Sequence, residues 1–449
     1  MKLQESAELV EAGKFSVDIF GLGYVGFPLA VRLSSGGVRV NGIDTNPGRI
    51  QRLSEGELVD TELPMAKKFE EVMGSGKLGL HAAPGRSSDP KVGMICVPTP
   101  LPGWGSDSAV HVKAAAESFL SVSRRGDVLI LESSVEVGTT EMVRNMIESR
   151  GHKVGEDYGL CFCPERVDPA NKEWGMEGIP RVIYSSDDYT HRIALQVYGH
   201  VNGGVLSRVG SPRTAEVVKS FENAFRLVNI SLVNELAMLC DRLGISARDV
   251  IDAASTKPFG FIPHYPGAGA GGHCIPKDPR FLLESARGLG SAHSMIDGAL
   301  EVNGGMPAYV ADRIGSALDE LGLDGRIIVC GLAYKANVED MRDSPGFKVA
   351  DELSRRGFTV QGYDPFFNVG LAAKYLAENR GRADWAAIET LDARTVKGTD
   401  CLCIVQHHEA AAPRISEIYL KSEVPFIYDC QSILAPNSAS STRLVRLGG

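Results

Sequence analysis

The chain has 449 residues, of which 43% are hydrophobic and 23% are charged, proportions that are ordinary for a globular protein and exclude a wholly disordered chain. A net charge of −9 without any basic block argues against a nucleic-acid-binding protein. The sequence has no run of 18 apolar residues, so it predicts no membrane-spanning helix.

The N-terminus and the cysteines favour a cytoplasmic protein. Residues 1–14 are acidic and polar, lack the apolar core of a signal peptide, and are interpreted as an N-terminal extension. Nine cysteines are scattered along the chain without a C-x-x-C pair. Most are therefore expected to be small buried hydrophobic residues in a reducing compartment, although one of them could be a catalytic thiol.

The first region alternates strands with helices. The predicted strands are Lys14–Gly21, Gly37–Asp44, Val92–Val97, Val128–Glu132 and Leu160–Pro164, and the predicted helices are Tyr24–Ser35, Ala109–Ser123 and Thr139–Glu148. This alternation is typical of a parallel sheet with helices on both faces. We assign it to a domain at residues 15–210.

A helical pattern follows. Pro212–Leu243 reads as one long helix, which exceeds the usual crossover length and indicates a connector or a dimerisation element. Further helices are predicted at 247–254, 278–286 and 295–317. Together they predict a helical domain at residues 211–305.

The third region repeats the first pattern. The predicted strands are Gly325–Gly331, Phe358–Asp364, Asp400–Val405 and Val424–Asp429, with a helix at Pro345–Gly357. We interpret residues 306–435 as a second α/β domain without the full glycine fingerprint. The Ser/Arg-rich residues 436–449 are expected to form a poorly ordered tail.

A dinucleotide-binding pattern lies at the start of the first region. Gly21-Leu22-Gly23-Tyr24-Val25-Gly26 is G-x-G-x-x-G, and it follows a predicted strand and opens a predicted helix. Asp44 ends the next strand 18 residues after Gly26, close to the expected spacing of about 20. A carboxylate there accepts ribose hydroxyls and repels a 2′-phosphate, which favours NAD over NADP. Arg49 either stacks near the adenine or is a solvated helix charge.

A cysteine lies in the glycine-rich segment PGAGAGGHCIPKD at residues 266–278. Four glycines in seven positions make a helix improbable and predict a tightly wound loop around Cys274. A buried cysteine is the default interpretation. The alternative is a nucleophilic thiolate that attacks an aldehyde to form a hemithioacetal, which can then lose hydride.

Three polar residues on the long helix form one face. Lys219 and Asn223 are four residues apart, and Glu216 lies one turn earlier. The face is either a solvated stripe or part of a site. Glu165 follows a strand end, where α/β folds place their chemistry, but a structural salt bridge is equally compatible with the sequence.

Seven motifs occur in the order found in one family. They are GLGYVG at 21–26, CVPTP at 96–100, ESS and VGTT within 132–140, PERVDP at 164–169, TAEVVKSFENAFR at 214–226, GGHCIPKDP at 271–279 and GLAYKANVEDMRDSP at 331–345. From Ser16 to Ile433 the chain thus resembles the UDP-glucose/GDP-mannose dehydrogenase family, the NAD-dependent nucleotide-sugar 6-dehydrogenases.

The resemblance implies an α/β fold. Two Rossmann-like parallel-sheet domains, one for NAD and one for the nucleotide sugar, are joined by a long central helix and an all-α middle domain that forms a homodimer. The active site is expected in the cleft between the two outer domains.

The resemblance also implies the reaction, a four-electron oxidation of the sugar C6 alcohol to a carboxylate with two NAD. Cys274 matches the nucleophile, and Lys219 and Asn223 match the residues that stabilise the C6 oxyanion. Asp278 assists proton transfer or positions water, and Glu165 assists the water that hydrolyses the thioester. Ser134 stands where the family often has Thr and keeps a hydroxyl for water or nicotinamide contact.

The remaining site residues follow from the same motifs. Cofactor contacts are expected at Gly21, Gly23, Tyr24, Val25, Gly26, Asp44, Arg49, Pro98, Thr99 and Ser134. Substrate contacts are expected at Glu165, Arg166, Val167, Lys219, Asn223, Arg226, Phe261, Tyr265, Gly271, Tyr334, Lys335 and Arg342, in which Lys335 and Arg342 suit a diphosphate. Residues 256–259 contain no arginine that could reach a neighbouring subunit's site. His273 is expected to be structural, and the Q-H-H-E run at 406–409 is not expected to bind a metal.

The substrate is less strongly indicated than the family. The PERVDP segment and the stretch before Cys274 resemble members that act on UDP-N-acetylhexosamines, and a UDP-GlcNAc-type substrate is favoured. UDP-glucose, UDP-N-acetylmannosamine and GDP-mannose are the alternatives. A two-electron hydroxy-acid dehydrogenase and a non-catalytic nucleotide-sugar sensor are the competing classes.

Overall fold

The computed structural model describes residues 1–58, 62–100, 108–167, 173–272, 274–292, 294–379 and 384–449. These residues divide into two compact units. One comprises Met1–Glu222 with Arg280–Ser291, and the other comprises Asn223–Pro279 with Ala292–Gly449. Each unit contains one largely or wholly parallel sheet, which confirms the predicted α/β class.

The first unit is built on an eight-stranded sheet in the order β3-β2-β1-β4-β5-β6-β7-β8. The strands are β1 (Ser16–Phe20), β2 (Arg39–Ile43), β3 (Leu78–His81), β4 (Lys91–Ile95), β5 (Val128–Leu131), β6 (Gly159–Phe162), β7 (Arg181–Ser185) and β8 (Leu206–Arg208). The helices are α1 (Leu3–Glu11), α2 (Gly26–Ser35), α3 (Pro47–Ser54), α4 (Ala66–Gly74), α5 (Val110–Val122), α6 (Thr139–Glu148) and α7 (Asp188–Asn202).

Strand β1 shows why this sheet is covered on both faces. Its side chains alternate, so Val17 and Ile19 pack into one apolar cluster and Phe20 packs into the other. The Phe20 ring lies 6.3 Å from that of Phe119 on α5. All five residues of β1 are buried, as expected for a strand with helices on both sides.

Three strands of this sheet were not predicted. β3 and β8 are short edge strands. β7 begins with Arg181, and a charged residue at this position weakens the apolar pattern by which a core strand is recognised. β7 runs antiparallel to β6, pairing Ser185 with Cys161, whereas the other strand pairs of the sheet are parallel. Residues 1–14, interpreted as an extension, contain α1, whose Leu3, Ala7 and Val10 enter the core.

The second unit contains a parallel six-stranded sheet in the order β11-β10-β9-β12-β13-β14. The strands are β9 (Arg326–Cys330), β10 (Thr359–Tyr363), β11 (Ala386–Ile388), β12 (Cys401–Ile404), β13 (Phe426–Asp429) and β14 (Arg443–Arg446). The helices of the rest of the chain are α8 (Pro212–Leu243), α9 (Ala247–Ala254), α10 (Asp278–Gly288), α11 (Ser294–Leu321), α12 (Pro345–Arg355), α13 (Val369–Asn379), α14 (Ala393–Val396) and α15 (Ala412–Leu420).

The expectation of a poorly ordered tail was wrong. Residues 443–446 form β14, which pairs in parallel with β13. Leu447 is buried, and the carbonyl of Gly448 accepts a hydrogen bond from Ala247 N–H at 2.6 Å. Four residues with an arginine at each end carry too weak a strand signal to be recognised without their partner strand.

Across the described ranges, no helix combines the length and the apolar character needed to cross a bilayer.

Candidate active site

The glycine-rich turn between β1 and α2 leaves room for a ligand at one position only. Gly21 has φ +90°, and a Cβ there would lie 2.8 Å from the Cys96 carbonyl oxygen; a Cβ on Gly26 would overlap the Gly21 carbonyl oxygen. A Cβ on Gly23 would meet no protein atom within 4 Å. The first and third glycines are therefore required by the protein, and the second borders a space at the helix N-terminus that suits a pyrophosphate.

Asp44 orients the glycine-rich turn. Its Oδ2 accepts a hydrogen bond from Leu22 N–H at 2.9 Å, and its Oδ1 accepts one from Asn46 N–H at 2.9 Å. Each carboxylate oxygen can accept a second hydrogen bond. The position therefore fits the ribose hydroxyls of a dinucleotide and disfavours a 2′-phosphate.

Arg49 braces the same turn and is not a solvated helix charge. Its Nε donates to the Leu22 carbonyl oxygen at 3.0 Å, and its guanidinium forms an ion pair with Glu62 in which both side chains are nearly buried. Its Cζ lies 5.5 Å from the centroid of the Phe27 ring. Stacking on an adenine stays a prediction for this residue.

The loops after β4 and β5 are joined by hydroxyl groups. Thr99 Oγ1 donates to the Ser134 carbonyl oxygen at 2.7 Å, and Ser133 Oγ donates to the Val97 carbonyl oxygen at 2.7 Å. Ser134 is half-buried and Pro98 is exposed. Two of the predicted motifs thus meet at the carboxyl edge of the sheet, where α/β folds bind ligands. Tyr24 and Val25, in the glycine-rich turn, are respectively half-exposed and partly buried.

Glu165 is held from two sides. Its Oε1 accepts hydrogen bonds from the N–H groups of Arg166 at 2.7 Å and Val167 at 2.9 Å, while its Oε2 pairs with Arg181. Arg181 is 1% exposed and also donates to Glu132 Oε2 at 2.8 Å. The salt bridge that the sequence allowed for Glu165 is therefore present, with an arginine that sequence reasoning did not select.

Arg166 is neutralised within the same unit. Its guanidinium pairs with Glu222 at 2.6 Å and donates to the Pro180 carbonyl oxygen at 2.6 Å. This arrangement ties the loop after β6 to helix α8. Residues 168 and 169 of the PERVDP motif lie outside the described residues.

The polar face of α8 is not a solvated stripe. The Glu216 carboxylate accepts hydrogen bonds from Gly138 N–H at 2.7 Å, Thr140 N–H at 2.8 Å and Thr140 Oγ1 at 2.6 Å, so it caps the N-terminus of α6. Its burial raises its pKa, although these hydrogen bonds oppose the shift. Lys219 is half-buried and Asn223 is buried.

The cysteine turn lies in the second unit. Asn223 Nδ2 donates to Asp278 Oδ2 at 2.7 Å, and Asp278 N–H donates to the Cys274 carbonyl oxygen at 2.9 Å. Cys274 is exposed, whereas the other eight cysteines are buried or half-buried. The default interpretation of a buried cysteine is therefore wrong at this position, and His273 lies outside the described residues.

Two glycines place the cysteine turn against the segment after β9. A Cβ on Gly271 would lie 2.5 Å from the Asp343 carbonyl oxygen and 3.1 Å from Tyr334 Cβ. Gly272 has φ +77° and donates its N–H to the Arg342 carbonyl oxygen at 3.0 Å. The fold thus brings Gly271, Tyr334 and Arg342 together, and their contact with a substrate stays a prediction.

Two buried asparagines clamp the start of this loop and were missed in the sequence. Asn234 Oδ1, on α8, accepts a hydrogen bond from Gly267 N–H at 3.0 Å. Asn303, on α11, accepts from Ala270 N–H at 2.7 Å and donates to the Ala270 carbonyl oxygen at 3.0 Å. Asparagines on otherwise apolar helix faces were the available signal, because a buried amide requires hydrogen-bond partners.

Lys277 was also missed. Burial lowers the pKa of this lysine, and the neighbouring Asp278 and Cys274 act in the opposite direction. Lys277 therefore lies close enough to Cys274 and Asp278 to interact with both side chains electrostatically.

Most predicted substrate residues of the second unit lie in two places. Tyr334, Lys335 and Arg342 lie on the segment after β9, and Asn223 and Arg226 lie on helix α8. Arg342 forms a bidentate pair with Asp340, and its side chain is 38% exposed. Lys335 and Arg226 are half-buried and Phe261 is exposed. Tyr265 Oη donates to Asp252 at 2.7 Å.

The second unit repeats the close glycine approach of the first. Gly331 has φ +91°, and a Cβ on Gly346 would overlap its carbonyl oxygen. Asp364 directly follows β10, as Asp44 directly follows β2, and it accepts hydrogen bonds from Leu332 and Ala333 N–H, both at 2.8 Å. Two glycines, Gly331 and Gly346, thus make the close approach that the first and third fingerprint glycines make in the first unit, and the segment that carries Lys335 and Arg342 lies between them.

His408 of the Q-H-H-E run belongs to this structural core. Its Nε2 lies 3.0 Å from Asp364 Oδ2, and its Nδ1 accepts a hydrogen bond from Asn337 N–H at 3.1 Å. In the described part of the chain, no group of three or more His, Cys, Asp or Glu side chains is arranged to hold a metal ion.

Three family models match the chain. They are the NAD binding domain (residues 15–202), the central domain (213–304) and the UDP binding domain (328–436) of the UDP-glucose/GDP-mannose dehydrogenase family. A UDP-N-acetyl-D-mannosamine dehydrogenase of Methanococcus maripaludis is 31% identical over 425 residues, which cover 93% of this chain and 92% of that protein.

Two further proteins are similar over most of their length. A UDP-N-acetyl-D-glucosamine 6-dehydrogenase of Pseudomonas aeruginosa is 32% identical over 78% of this chain and 82% of its own. The structure of a UDP-D-ManNAc dehydrogenase from Pyrococcus horikoshii has a TM-score of 0.81 at 30% identity and covers 96% of this chain and 99% of its own.

Proposed function

The chain belongs to the UDP-glucose/GDP-mannose dehydrogenase family and is an NAD-dependent oxidoreductase, and we propose that it oxidises the C6 hydroxymethyl group of a UDP-N-acetylhexosamine to the carboxylate. The similar proteins named above act, by their names, on UDP-N-acetylmannosamine and UDP-N-acetylglucosamine. Both share the 2-acetamido group and differ in configuration at C2.

One observation carries the proposal: Cys274, the single exposed thiol among the nine cysteines, lies on a turn that is hydrogen-bonded to the region matched by the UDP binding domain model. Cys274 is exposed, and Gly272 next to it is bonded to Arg342 of the segment after β9. A thiol adjoining the UDP binding domain suits covalent capture of a sugar aldehyde.

The reaction balances as one alcohol, two NAD and one water giving one carboxylate, two NADH and three protons. NAD, which the glycine-rich turn at Gly23 and the carboxylate of Asp44 would hold, would supply the hydride acceptor for both oxidations. The Cys274 thiolate adds to the C6 aldehyde to form a thiohemiacetal, whose oxidation leaves a thioester. Water then adds to the thioester carbonyl, the carbon–sulfur bond breaks, and the thiol is regenerated.

The other residues act on charge and protons. Lys219 and Asn223 stabilise the negative charge that develops on the C6 oxygen, as fixed donors do in acyl-transfer sites. Asp278 takes part in moving the proton of the alcohol, and its hydrogen bond from Asn223 fixes the oxygen that stays available. Glu165 orients the hydrolytic water. Lys335 and Arg342 bind the diphosphate.

Helix α8 is proposed to form a homodimer. Phe221, Phe225, Leu232, Leu239 and Leu243 of this helix are between 45% and 62% exposed. A stripe of large apolar side chains exposed on one helix is a usual protein–protein surface. Sedimentation or light scattering of the wild type against a Phe221→Glu/Leu232→Glu variant tests this; a monomeric wild type would contradict it.

The deciding experiment measures NADH formed per sugar across UDP-GlcNAc, UDP-ManNAc, UDP-glucose and GDP-mannose. We expect two NADH per sugar with one of the two UDP-N-acetylhexosamines. In the Cys274→Ala variant we expect no sugar to be converted to the acid. The sequence resemblance favours UDP-GlcNAc, whereas the names of the M. maripaludis and P. horikoshii proteins favour UDP-ManNAc. The relative kcat/KM of these two substrates decides between them. One NADH per substrate would indicate a two-electron dehydrogenase instead, and tight UDP-sugar binding without turnover would indicate a sensor.

A further inference from the structure

A buried charged cluster stands directly behind Glu165 and has no role in the reaction described above. Arg181 donates to Glu132 Oε2 at 2.8 Å through one guanidinium nitrogen and pairs with Glu165 through another. Tyr198 Oη donates to the other oxygen of Glu132. Arg181 and Glu132 are each about 1% exposed, so the cluster is sealed from solvent on the side away from Glu165.

The cluster has one more carboxylate than it has cations. Besides Arg181 on β7, the titratable groups that face Glu132 are Glu165, Tyr198 on α7, Cys163 after β6 and Cys96 after β4. Burial raises the pKa of Glu132 to about 7, and Arg181 opposes this shift only in part. Glu132 therefore gains or loses its proton near neutrality, while the guanidinium stays charged.

The number of charged partners of Arg181 thus depends on pH. With Glu132 protonated, the guanidinium has Glu165 as its sole anionic partner in the cluster, and it draws electron density from that carboxylate. With Glu132 ionised, the guanidinium is shared between two carboxylates and holds Glu165 less strongly. A carboxylate that is held less strongly is the better hydrogen-bond acceptor for a water.

We propose that Glu132 and Arg181 are positioning residues for the hydrolytic step: Arg181 holds the Glu165 carboxylate in place, and Glu132 competes with Glu165 for the same guanidinium. The inference rests on the proposed function, because it concerns the water that Glu165 orients. In that step water adds to the thioester carbonyl on Cys274, the carbon–sulfur bond breaks, and the carboxylate, the thiol and a proton are released. The two hydride transfers do not involve the cluster.

The test separates hydrolysis from the oxidations. Wild type, Glu132→Gln and Arg181→Lys are mixed with UDP-GlcNAc, and in a second series with UDP-ManNAc, in the presence of excess NAD between pH 6 and pH 8.5. NADH absorbance reports the oxidations, and intact-protein mass after acid quenching reports the adduct on Cys274. Gln at 132 keeps an oxygen for Arg181 and an amide for Tyr198, so this variant retains the packing. Circular dichroism and the melting temperature check both folds.

A matched control uses a second buried ion pair of the same sheet. Lys91 and Asp18 lie 2.8 Å apart with side chains 2% and 0% exposed. Asp18→Asn neutralises a carboxylate that is as deeply buried as Glu132 but whose ion-pair partner is Lys91 and not Arg181. We expect it to leave the pH profile of hydrolysis unchanged.

We expect the wild-type hydrolysis rate to rise with pH through an inflection near 7. In Glu132→Gln this inflection disappears, while NADH formation in the first turnover keeps its rate. In Arg181→Lys the adduct accumulates because hydrolysis slows roughly 10- to 100-fold, the effect of misplacing a reacting group by about 1 Å. A folded Glu132→Gln that keeps the inflection overturns the inference, even if the enzyme is active. A wild type that forms no NADH with any UDP-sugar overturns the proposed function itself, and this inference with it.

Discussion

Asn223 donates a hydrogen bond to Asp278 at 2.7 Å, and both side chains are buried. The bond links the long helix α8 to the first residue of α10, whose N–H in turn closes the Cys274 turn. The position of the thiol is therefore fixed relative to a rigid helix. Such fixing holds a reacting group in a productive geometry.

Asp278→Asn tests this link. The asparagine keeps a hydrogen bond with Asn223 after an amide rotation but cannot accept a proton. We expect NADH formation to slow about 10²- to 10⁴-fold, the range for loss of an acid–base group. Asn223→Ala is the companion variant: it leaves a buried carboxylate without this donor and costs about 1–3 kcal/mol of unfolding free energy. An Asp278→Asn protein with wild-type turnover would refute the role assigned to this carboxylate.

Selective alkylation tests the exposure of Cys274. Iodoacetamide added to the native protein should label Cys274 ahead of the other eight cysteines, because they are buried or half-buried. Activity should fall in step with labelling, and Cys274→Ala should take up no comparable label. Peptide mass mapping gives the site; labelling spread evenly over the cysteines would contradict the structure of the turn.

Gly23→Ala and Gly26→Ala form a matched pair in the glycine-rich turn. A methyl at position 23 meets no protein atom within 4 Å, so the melting temperature should hold while the KM for NAD rises at least about tenfold, or 1.4 kcal/mol. A methyl at position 26 overlaps the Gly21 carbonyl oxygen and should cost about 1–3 kcal/mol of stability. Equal NAD affinity in Gly23→Ala and wild type would show that the cofactor does not approach this position.

Glu216→Ala tests the cap on helix α6. The carboxylate satisfies two helix N-terminal N–H groups, Gly138 and Thr140. Losing it should lower the unfolding free energy by about 1–3 kcal/mol. Glu148→Ala, an exposed residue of the same helix whose ion pair with Arg144 spans 3.9 Å, should change stability by less than about 0.5 kcal/mol. Denaturant titration compares the two; equal effects would argue against the cap.

Glu132 makes stability depend on pH. Unfolded, this carboxyl ionises near 4.5, whereas burial holds its proton to about 7 in the fold. Between these values the folded state binds more protons than the unfolded state, so raising the pH destabilises the fold. The contribution lost between pH 4.5 and pH 7 is roughly 3 kcal/mol.

Melting temperatures of wild type and Glu132→Gln across this range check that prediction. Because the amide has no proton to lose, the variant should be relatively more stable above pH 7 than at pH 5. Asp127, whose pKa burial raises to about 6, contributes in the same direction to both proteins and cancels in the difference. Parallel pH profiles would mean that Glu132 keeps one protonation state.

Local patterns determined much of this protein. The glycine spacing at 21–26 with Asp44, the helix Pro212–Leu243 and the central strands of both sheets were predicted because each depends on neighbouring residues in the chain. The motif around Cys274 indicated a loop, since its glycines exclude a helix. These features survive folding because the tertiary structure does not oppose the local preference.

Only the tertiary structure decided the partners of the charged residues. Nothing near Arg181 in the sequence announces that it is buried between Glu132 and Glu165, 49 and 16 residues away. Asn234 and Asn303 reach the cysteine loop from two different helices, and β14 becomes a strand through pairing with β13. Such contacts join residues distant in sequence, and a buried polar group is tolerated only where the fold supplies its partner. Sequence spacing records the local preference, whereas the supply of partners is a property of the packed chain.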